Sequence, residues 1–182
     1  SAIQNNDKVG VIFFSNKVEK YIPPKKGKSH ILRIIRELIE VKPSENGTSI
    51  GVALKYFNNI MKRRSIAFLM SDFMDKKEDY ENALTISKKK HDLIGLHLFD
   101  KRENELANIG LAKMVDSETG ESLWVDTSSK SVRENYKNYF ENQLQETKKT
   151  FHKRGADFLS IDTETNYTVA LMNLFKMRGS RR

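Results

Sequence analysis

One stretch constrains the fold of this chain more than any other. In Arg64-Ser65-Ile66-Ala67-Phe68-Leu69-Met70-Ser71-Asp72-Phe73-Met74-Asp75, an apolar run ends abruptly in Ser-Asp and a polar, helix-opening segment follows. Strands buried on both faces of a parallel sheet read as uninterrupted apolar runs. In open α/β sheets, ligands bind beyond the carboxyl ends of such strands. Asp72 stands at that end, either as a ligand-holding carboxylate or as a turn residue.

The flanking sequence repeats the pattern. Val9 to Phe14 is a short apolar strand, Ser15-Asn16-Lys17 a tight turn, and Val18 to Ile22 a hairpin partner. Pro23-Pro24 is expected to stop the pairing, as at a sheet edge. Helical spacing of Ile31, Ile34, Ile35, Leu38 and Ile39 predicts a helix from Ser29 to Val41, with Pro43 beyond its end. Asn46-Gly47-Thr48-Ser49 opens a second helix carrying Ile50, Ala53, Leu54, Phe57 and Met61. After the strand Ser65–Met70 comes a third helix, Lys76 to Lys89, with Tyr80, Ala83, Leu84 and Ile86 inward. Asp92 to Phe99 is another apolar strand.

Strand, strand, helix, helix, strand, helix, strand is the order of a mostly parallel sheet with helices on both faces, here with an antiparallel edge hairpin. Leu111–Val115 and Glu121–Val125 form a second, projecting hairpin around Asp116 to Gly120. Ser128 or Ser129 caps a long helix to Lys153, striped by Val132, Tyr136, Tyr139, Phe140, Leu144 and Phe151. Gly155 stops it. Asp157–Ile161 is the last strand, and a helix carrying Val169, Ala170, Met172, Leu174 and Phe175 closes the chain. Ser1 to Asn5 reads as the last turn of a helix, and Gly179 to Arg182 as a frayed tail. The 182 residues fit a single domain, 1–182.

Composition narrows the chemistry. Without cysteine there is no disulfide, thiolate metal site or cysteine nucleophile, which fits a cytosolic location. No apolar run is long enough to span a bilayer. The net charge of +8 admits nucleic acid or an anionic membrane surface as partner. However, the basic runs fall where helices end and complement their dipoles. Few aromatics interleave with them, which argues against nucleic acid.

The candidates for chemistry cluster at loops that follow strands or open helices: Thr48, Asp72, Asp75, Asp100 and Asp162. Their hard oxygens suit magnesium, calcium or manganese, and Thr48 with Asp72 could form part of such a site. Thr48 or Ser49 fits a helix cap equally well, and Asp72 and Asp75 fit capping of the third helix or shaping of the turn. His30, His91, His97 and His152 lack metal-ligand spacing, and His97 reads as a satisfied core histidine. No Gly-x-Ser-x-Gly elbow, P-loop or Gly-x-Gly-x-x-Gly loop is present. A hydrolase or phosphatase using Asp72 lacks a visible nucleophile, base and orienter. Trp124 and Tyr136 read as packing residues.

Five stretches together resemble the bacterial family called domain of unknown function fifty-eight. They are Asp7 to Ser15, Ile22 to Gly27, Gly47-Thr48-Ser49 with Ala53-Leu54, Ser71-Asp72-Phe73, and Asp116 to Gly120 with Val125-Asp126-Thr127. That family looks like a relative of the von Willebrand factor A domain. The resemblance implies a three-layer, doubly wound sheet and a metal-ion-dependent adhesion site with ligands from three loops. Thr48 matches the second loop and Asp72 the third. The first loop, Asp-x-Ser-x-Ser, has no match, so the chain reads as lacking an N-terminal part that includes a central strand. The implied metal site is then partial, with no cofactor expected here and magnesium in an intact homologue. The gap would leave Val9–Phe14 and Ser65–Met70 with unpaired edges, which either close on each other or favour self-association.

The expected function is a non-enzymatic protein-interaction or adaptor module that binds an acidic side chain of a partner. The resemblance further implies work beside a MoxR-type ATPase on the cytoplasmic side, with membrane association in a full-length form. The alternative is an electrostatic binder of nucleic acid or an anionic membrane surface.

Overall fold

In the computed structural model the described residues are 5–44, 47–115 and 120–180. The expectations for Ser1 to Gln4, Asn46, Asp116 to Thr119 and the last two arginines lie outside them. The strands are β1 (Val9–Phe14), β2 (Val18–Lys25), β3 (Ile66–Ser71), β4 (Asp92–Phe99), β5 (Leu111–Val115), β6 (Ser122–Asp126) and β7 (Asp157–Asp162). The α-helices are α1 (Lys28–Glu40), α2 (Ile50–Ile60), α3 (Lys77–Lys90), α4 (Lys130–Lys153) and α5 (Tyr167–Gly179).

β3, β4 and β7 form a parallel sheet in that order, with Ile66 opposite Asp92 and Ile94 opposite Asp157. Alternation along these strands splits the core in two. Leu69, Leu93 and Phe158 point to the face covered by α2, α3 and α4, where Ile50, Leu54, Tyr80, Ala83, Leu84 and Phe151 meet them. Ile94, Leu96 and Ile161 point to the other face, against Ala170, Leu171 and Leu174 of α5. Helices therefore cover both faces, as the alternation of elements predicts.

Two close approaches fix the first layer. A methyl on Gly95 would lie 2.6 Å from the Phe151 ring and 2.8 Å from Phe158, so β4 stays bare there for α4 to seat. A methyl on Gly51 would lie 2.4 Å from the Asp79 carbonyl oxygen, so only glycine lets α2 lie this close to α3. Asn58 donates to the Ser87 hydroxyl at 2.9 Å across the same contact.

The amino-terminal hairpin departs from expectation. Among the described residues it is not an edge of the parallel sheet: β1 and β2 pair with each other alone, antiparallel, as a separate two-stranded sheet. β1 and β3 have not closed on one another, and each keeps an edge without a ladder partner among the described residues. Nor do Pro23-Pro24 end the pairing. β2 runs on to Lys25, opposite Val9, through an irregularity at Gly10. A bulge leaves extra residues of one strand unpaired, which is where prolines, with no N–H to give, fit. Gly10 accommodates it, since a Cβ there would sit 2.8 Å from the Ile22 carbonyl oxygen. The β5–β6 hairpin is a separate two-stranded sheet, as anticipated.

Several apolar side chains taken for core are exposed. Helix α1 turns Ile35, Leu38 and Ile39 to solvent, and only Ile31 and Ile34 are half-buried. It docks on the hairpin through His30, whose Nε2 lies 2.9 Å from the Val9 carbonyl oxygen, and a two-stranded hairpin is too narrow to cover the whole stripe. Ile86, Trp124, Tyr139, Val169, Met172 and Phe175 are exposed as well. Among the described residues α5 is the one helix packed on that face, and beside it Ile66 and Met70 of β3 stay open, while Phe68, still 40% exposed, meets Phe175 edge-on at 6.4 Å. The accessible surface is 12511 Å², against about 9,000 Å² for a compact monomer of this mass. The uncovered faces contribute to that excess.

Candidate functional site

Three loops converge at the carboxyl end of β1 and β3. The first follows β1. There the buried Ser15 hydroxyl donates to the Glu19 carboxylate at 2.6 Å, and its carbonyl oxygen accepts from Ser49 N–H at 2.8 Å. Glu19 also accepts from the amide and hydroxyl of Ser44. These hydroxyls, and the Ser44 amide, hold its carboxyl below the usual glutamate range. The hairpin turn is thereby tied to the segment that leads into α2.

The second loop is Gly47-Thr48-Ser49. Gly47 has φ +91°, a left-handed conformation that glycine adopts without strain. Ser49 is the cap of α2, its hydroxyl accepting from Val52 N–H at 3.3 Å. Thr48 is half-buried one residue earlier. Of the two caps the sequence allowed, Ser49 holds the position.

The third loop follows β3. Asp72 is exposed, and its Oδ1 accepts long hydrogen bonds, 3.3 Å each, from Met74 N–H and the Ser71 hydroxyl. Phe73 is buried at φ +55°, an uncommon conformation for a bulky residue. Two things hold it there. Its N–H donates to the Ser71 hydroxyl at 3.0 Å, and its ring packs at 5.3 Å edge-on against both Phe151 and Phe158. That reversal sends Phe73 inward while Asp72 stays outside. Asp75 crosses to the second loop, where its Oδ2 accepts from Ile50 N–H at 2.7 Å. That partner is in the first turn of α2.

Thr48 and Asp72, the two residues matched to a metal site, thus sit on loops joined through Asp75 and Ile50. No hydrogen bond joins them to each other, and among the described residues no group of three or more His, Asp or Glu side chains could hold a metal ion. Magnesium takes six oxygen ligands in near-octahedral array, several of them commonly waters, and Thr48 and Asp72 offer one hydroxyl and one carboxylate toward that number.

Asp72 instead edges a cleft of about 180 Å³ between the strand ends and α4, lined by Phe73, His97, Lys101, Asn104, Lys137 and Phe140 among others. His97 is a core histidine, as its apolar strand predicts: it is 8% exposed, stacked on Phe99 at 5.1 Å with Nδ1 3.2 Å from the Ser160 hydroxyl. Burial pushes its pKa down, partly opposed by the Asp72 charge. A neutral imidazole therefore borders the cleft at neutral pH. Lys137 pairs with Glu105 at 3.0 Å across the opening. Sequence reasoning missed this grouping. Asp72, His97 and Lys137 are far apart in the chain, and only a strand-end position for His97 hinted at it. Asp100 accepts from Arg102 N–H and Asp162 from Glu164 N–H, each shaping its own turn.

Comparison with known proteins supports this architecture. A conserved hypothetical protein, BatB, from Bacteroides thetaiotaomicron is similar in fold with TM-score 0.53 and 13% identity, over 97% of this chain and 81% of that one. An aerotolerance-related membrane protein from Bacteroides fragilis gives TM-score 0.51 and 16% identity, over 87% and 73%. In sequence, uncharacterized proteins of Mycobacterium bovis and Mycobacterium tuberculosis are 20% identical over 180 residues, 97% of this chain and 55% of each relative. The chain thus spans about half the length of these relatives. An uncharacterized protein of Mycobacterium avium is 20% identical over 159 residues, 86% of this chain and 93% of that one. Residues 1–146 match the family described as Protein of unknown function DUF58, and the chain belongs to that family.

Proposed function

We propose that this domain is a protein-interaction module rather than an enzyme, of the von Willebrand A type, with a metal-ion-dependent adhesion site that is incomplete in this chain. One observation carries the reading. The loops after β1, before α2 and after β3 are bound into one platform by Ser15–Ser49 and Ile50–Asp75 hydrogen bonds, with the Asp72 carboxylate exposed on it. Such a platform suits recognition of a partner's side chain. The fold likeness to BatB and the position of Thr48 and Asp72 at the carboxyl end of a parallel sheet favour it.

In this reading Thr48 and Asp72 are two contributors to a magnesium site whose other ligands come from an Asp-x-Ser-x-Ser loop. The partner presents a carboxylate. A MoxR-type ATPase is the partner class that the family resemblance brings forward, on the cytoplasmic side and near a membrane in a longer form.

Calorimetric titration with magnesium chloride tests it. This chain should give no saturable heat. A chain that also carries the Asp-x-Ser-x-Ser loop should bind, and should lose binding in Thr48→Ala/Asp72→Ala. If the extended chain gives no more heat than that double variant, the metal-site reading is wrong.

A further inference from the structure

The end of the parallel sheet opposite Asp72 has a different chemistry. β3, β4 and β7 begin there, and α2, α3, α4 and α5 end there. Arg178, near the end of α5, clasps Asp92 and Asp157, the first residues of β4 and β7. Lys88 lies 3.5 Å from Asp92, and Arg154 pairs with Glu81. Three cations thus occupy the three carboxylates.

A surplus remains. Lys62, Arg63 and Arg64, between α2 and β3, are all exposed. So are Lys89 and Lys90 in the last turn of α3, Lys153 ending α4, and Lys176 in the last turn of α5. None of these seven side chains makes an ion pair or hydrogen bond with another described residue. The net charge of the chain is +8, so an end surplus of seven is nearly all of it. Helix dipoles explain cations in a last turn. They do not explain Lys62-Arg63-Arg64, which lie beyond α2 in a connecting loop.

Apolar surface adjoins the basic end. Ile66, the first residue of β3, is 65% exposed, and Met177, in the last turn of α5, is 53% exposed. A basic surface beside exposed aliphatic side chains is the composition of an interfacial lipid-binding face. Single-stranded nucleic acid would instead use aromatic platforms for bases, and no Trp or Tyr stands among these residues.

We propose that this end of the domain docks on an anionic phospholipid bilayer. The Lys62-Arg63-Arg64 loop and the end of α3 meet the headgroups, and Ile66 and Met177 enter the interface. So docked, the loops around Asp72 face away from the lipid.

Co-sedimentation tests it, using vesicles of phosphatidylcholine with and without phosphatidylglycerol, at low and at physiological salt. The chain should bind only the anionic vesicles, and less so as salt rises. Lys62→Gln/Arg63→Gln/Arg64→Gln should weaken binding on the order of 100-fold, since each cation near such a surface contributes about a factor of five. Lys113→Gln/Lys130→Gln, away from this face, should bind like the parent. Ile66→Ser/Met177→Ser should weaken vesicle binding and leave retention on heparin unchanged. Far-ultraviolet circular dichroism checks that each variant is folded. Equal binding to neutral vesicles, or none to anionic ones at low salt, overturns the proposal. So does tighter binding to duplex DNA than to vesicles with no effect of the apolar substitutions, which would mark a nucleic-acid surface.

Discussion

Asp75→Ala should unseat α2 from the loop that carries Asp72, at a cost that can be worked out beforehand. The Asp75 carboxylate accepts from Ile50 N–H at 2.7 Å, and Ile50 is fully buried. Removing the acceptor strands a buried amide, which costs about 1–3 kcal/mol. It also removes an anion from the start of a helix, worth about 0.3–1 kcal/mol. The sum is about 1.3–4 kcal/mol. With a urea dependence of about 2 kcal/mol per molar, the unfolding midpoint should fall by about 0.7–2 M. Asp75→Asn keeps an oxygen acceptor and loses only the charge, so its cost should stay under about 1 kcal/mol. Asp72→Ala breaks only two long, exposed hydrogen bonds and should cost no more than about 0.5 kcal/mol. Urea unfolding followed by Trp124 fluorescence and by circular dichroism measures all three. If Asp75→Ala is no worse than Asp72→Ala, then Asp75 does not anchor α2 and the account of the platform fails.

Three further outcomes follow from the same geometry. Gly51→Ala should destabilise the domain by about 1–3 kcal/mol despite alanine's better helix propensity, because the new methyl meets the Asp79 carbonyl oxygen at 2.4 Å; a gain in the urea midpoint would contradict the α2–α3 contact. His91 is buried against Phe57 with neither ring nitrogen hydrogen-bonded to a described residue, and burial, then Lys90, lowers its pKa below 6.5. The neutral ring is the one the fold accepts, so its contribution is complete above about pH 6.5 and is lost as pH falls through the folded value. His91→Leu should flatten the loss of stability between about pH 7.5 and about pH 5, and an unchanged slope would refute it. Finally, the edge of β3 that has no ladder partner among the described residues, with its exposed Phe68 and Met70, predicts concentration-dependent self-association. Sedimentation velocity should show it weakened in Phe68→Lys/Met70→Lys, and a monomer at every concentration would count against it.

Much of the fold was readable because its signals are local. Apolar runs at Val9, Ile66, Asp92 and Asp157 became strands within a residue or so, since each combines β-branched or aromatic residues with a flanking turn. The helical stripe of α2 and the inward face of α3 at Tyr80, Ala83 and Leu84 are likewise set by spacing. Periodicity in α1, however, says only which residues share a face. It cannot say whether enough sheet lies opposite to bury Leu38 and Ile39. The same limit misplaced Phe175 and Ile86.

The candidate site divides along the same line. Ser71-Asp72 was visible as a strand end, and Thr48-Ser49 as a helix opening. Which hydroxyl caps α2 depends on the residue at which the helix starts, and that Asp75 rather than Asp72 reaches its first amide depends on atoms brought together from 25 residues away. By itself the sequence determined the elements, their order and the handful of oxygen-bearing residues at their ends, because propensity and periodicity act over a few residues. Tertiary structure alone decided that β1–β2 stands apart from the parallel sheet. It alone also decided that His97 meets Asp72 at a cleft under α4, and that the net positive charge gathers at the far end. Those outcomes depend on which long-range surfaces come into contact, and local sequence carries no record of that.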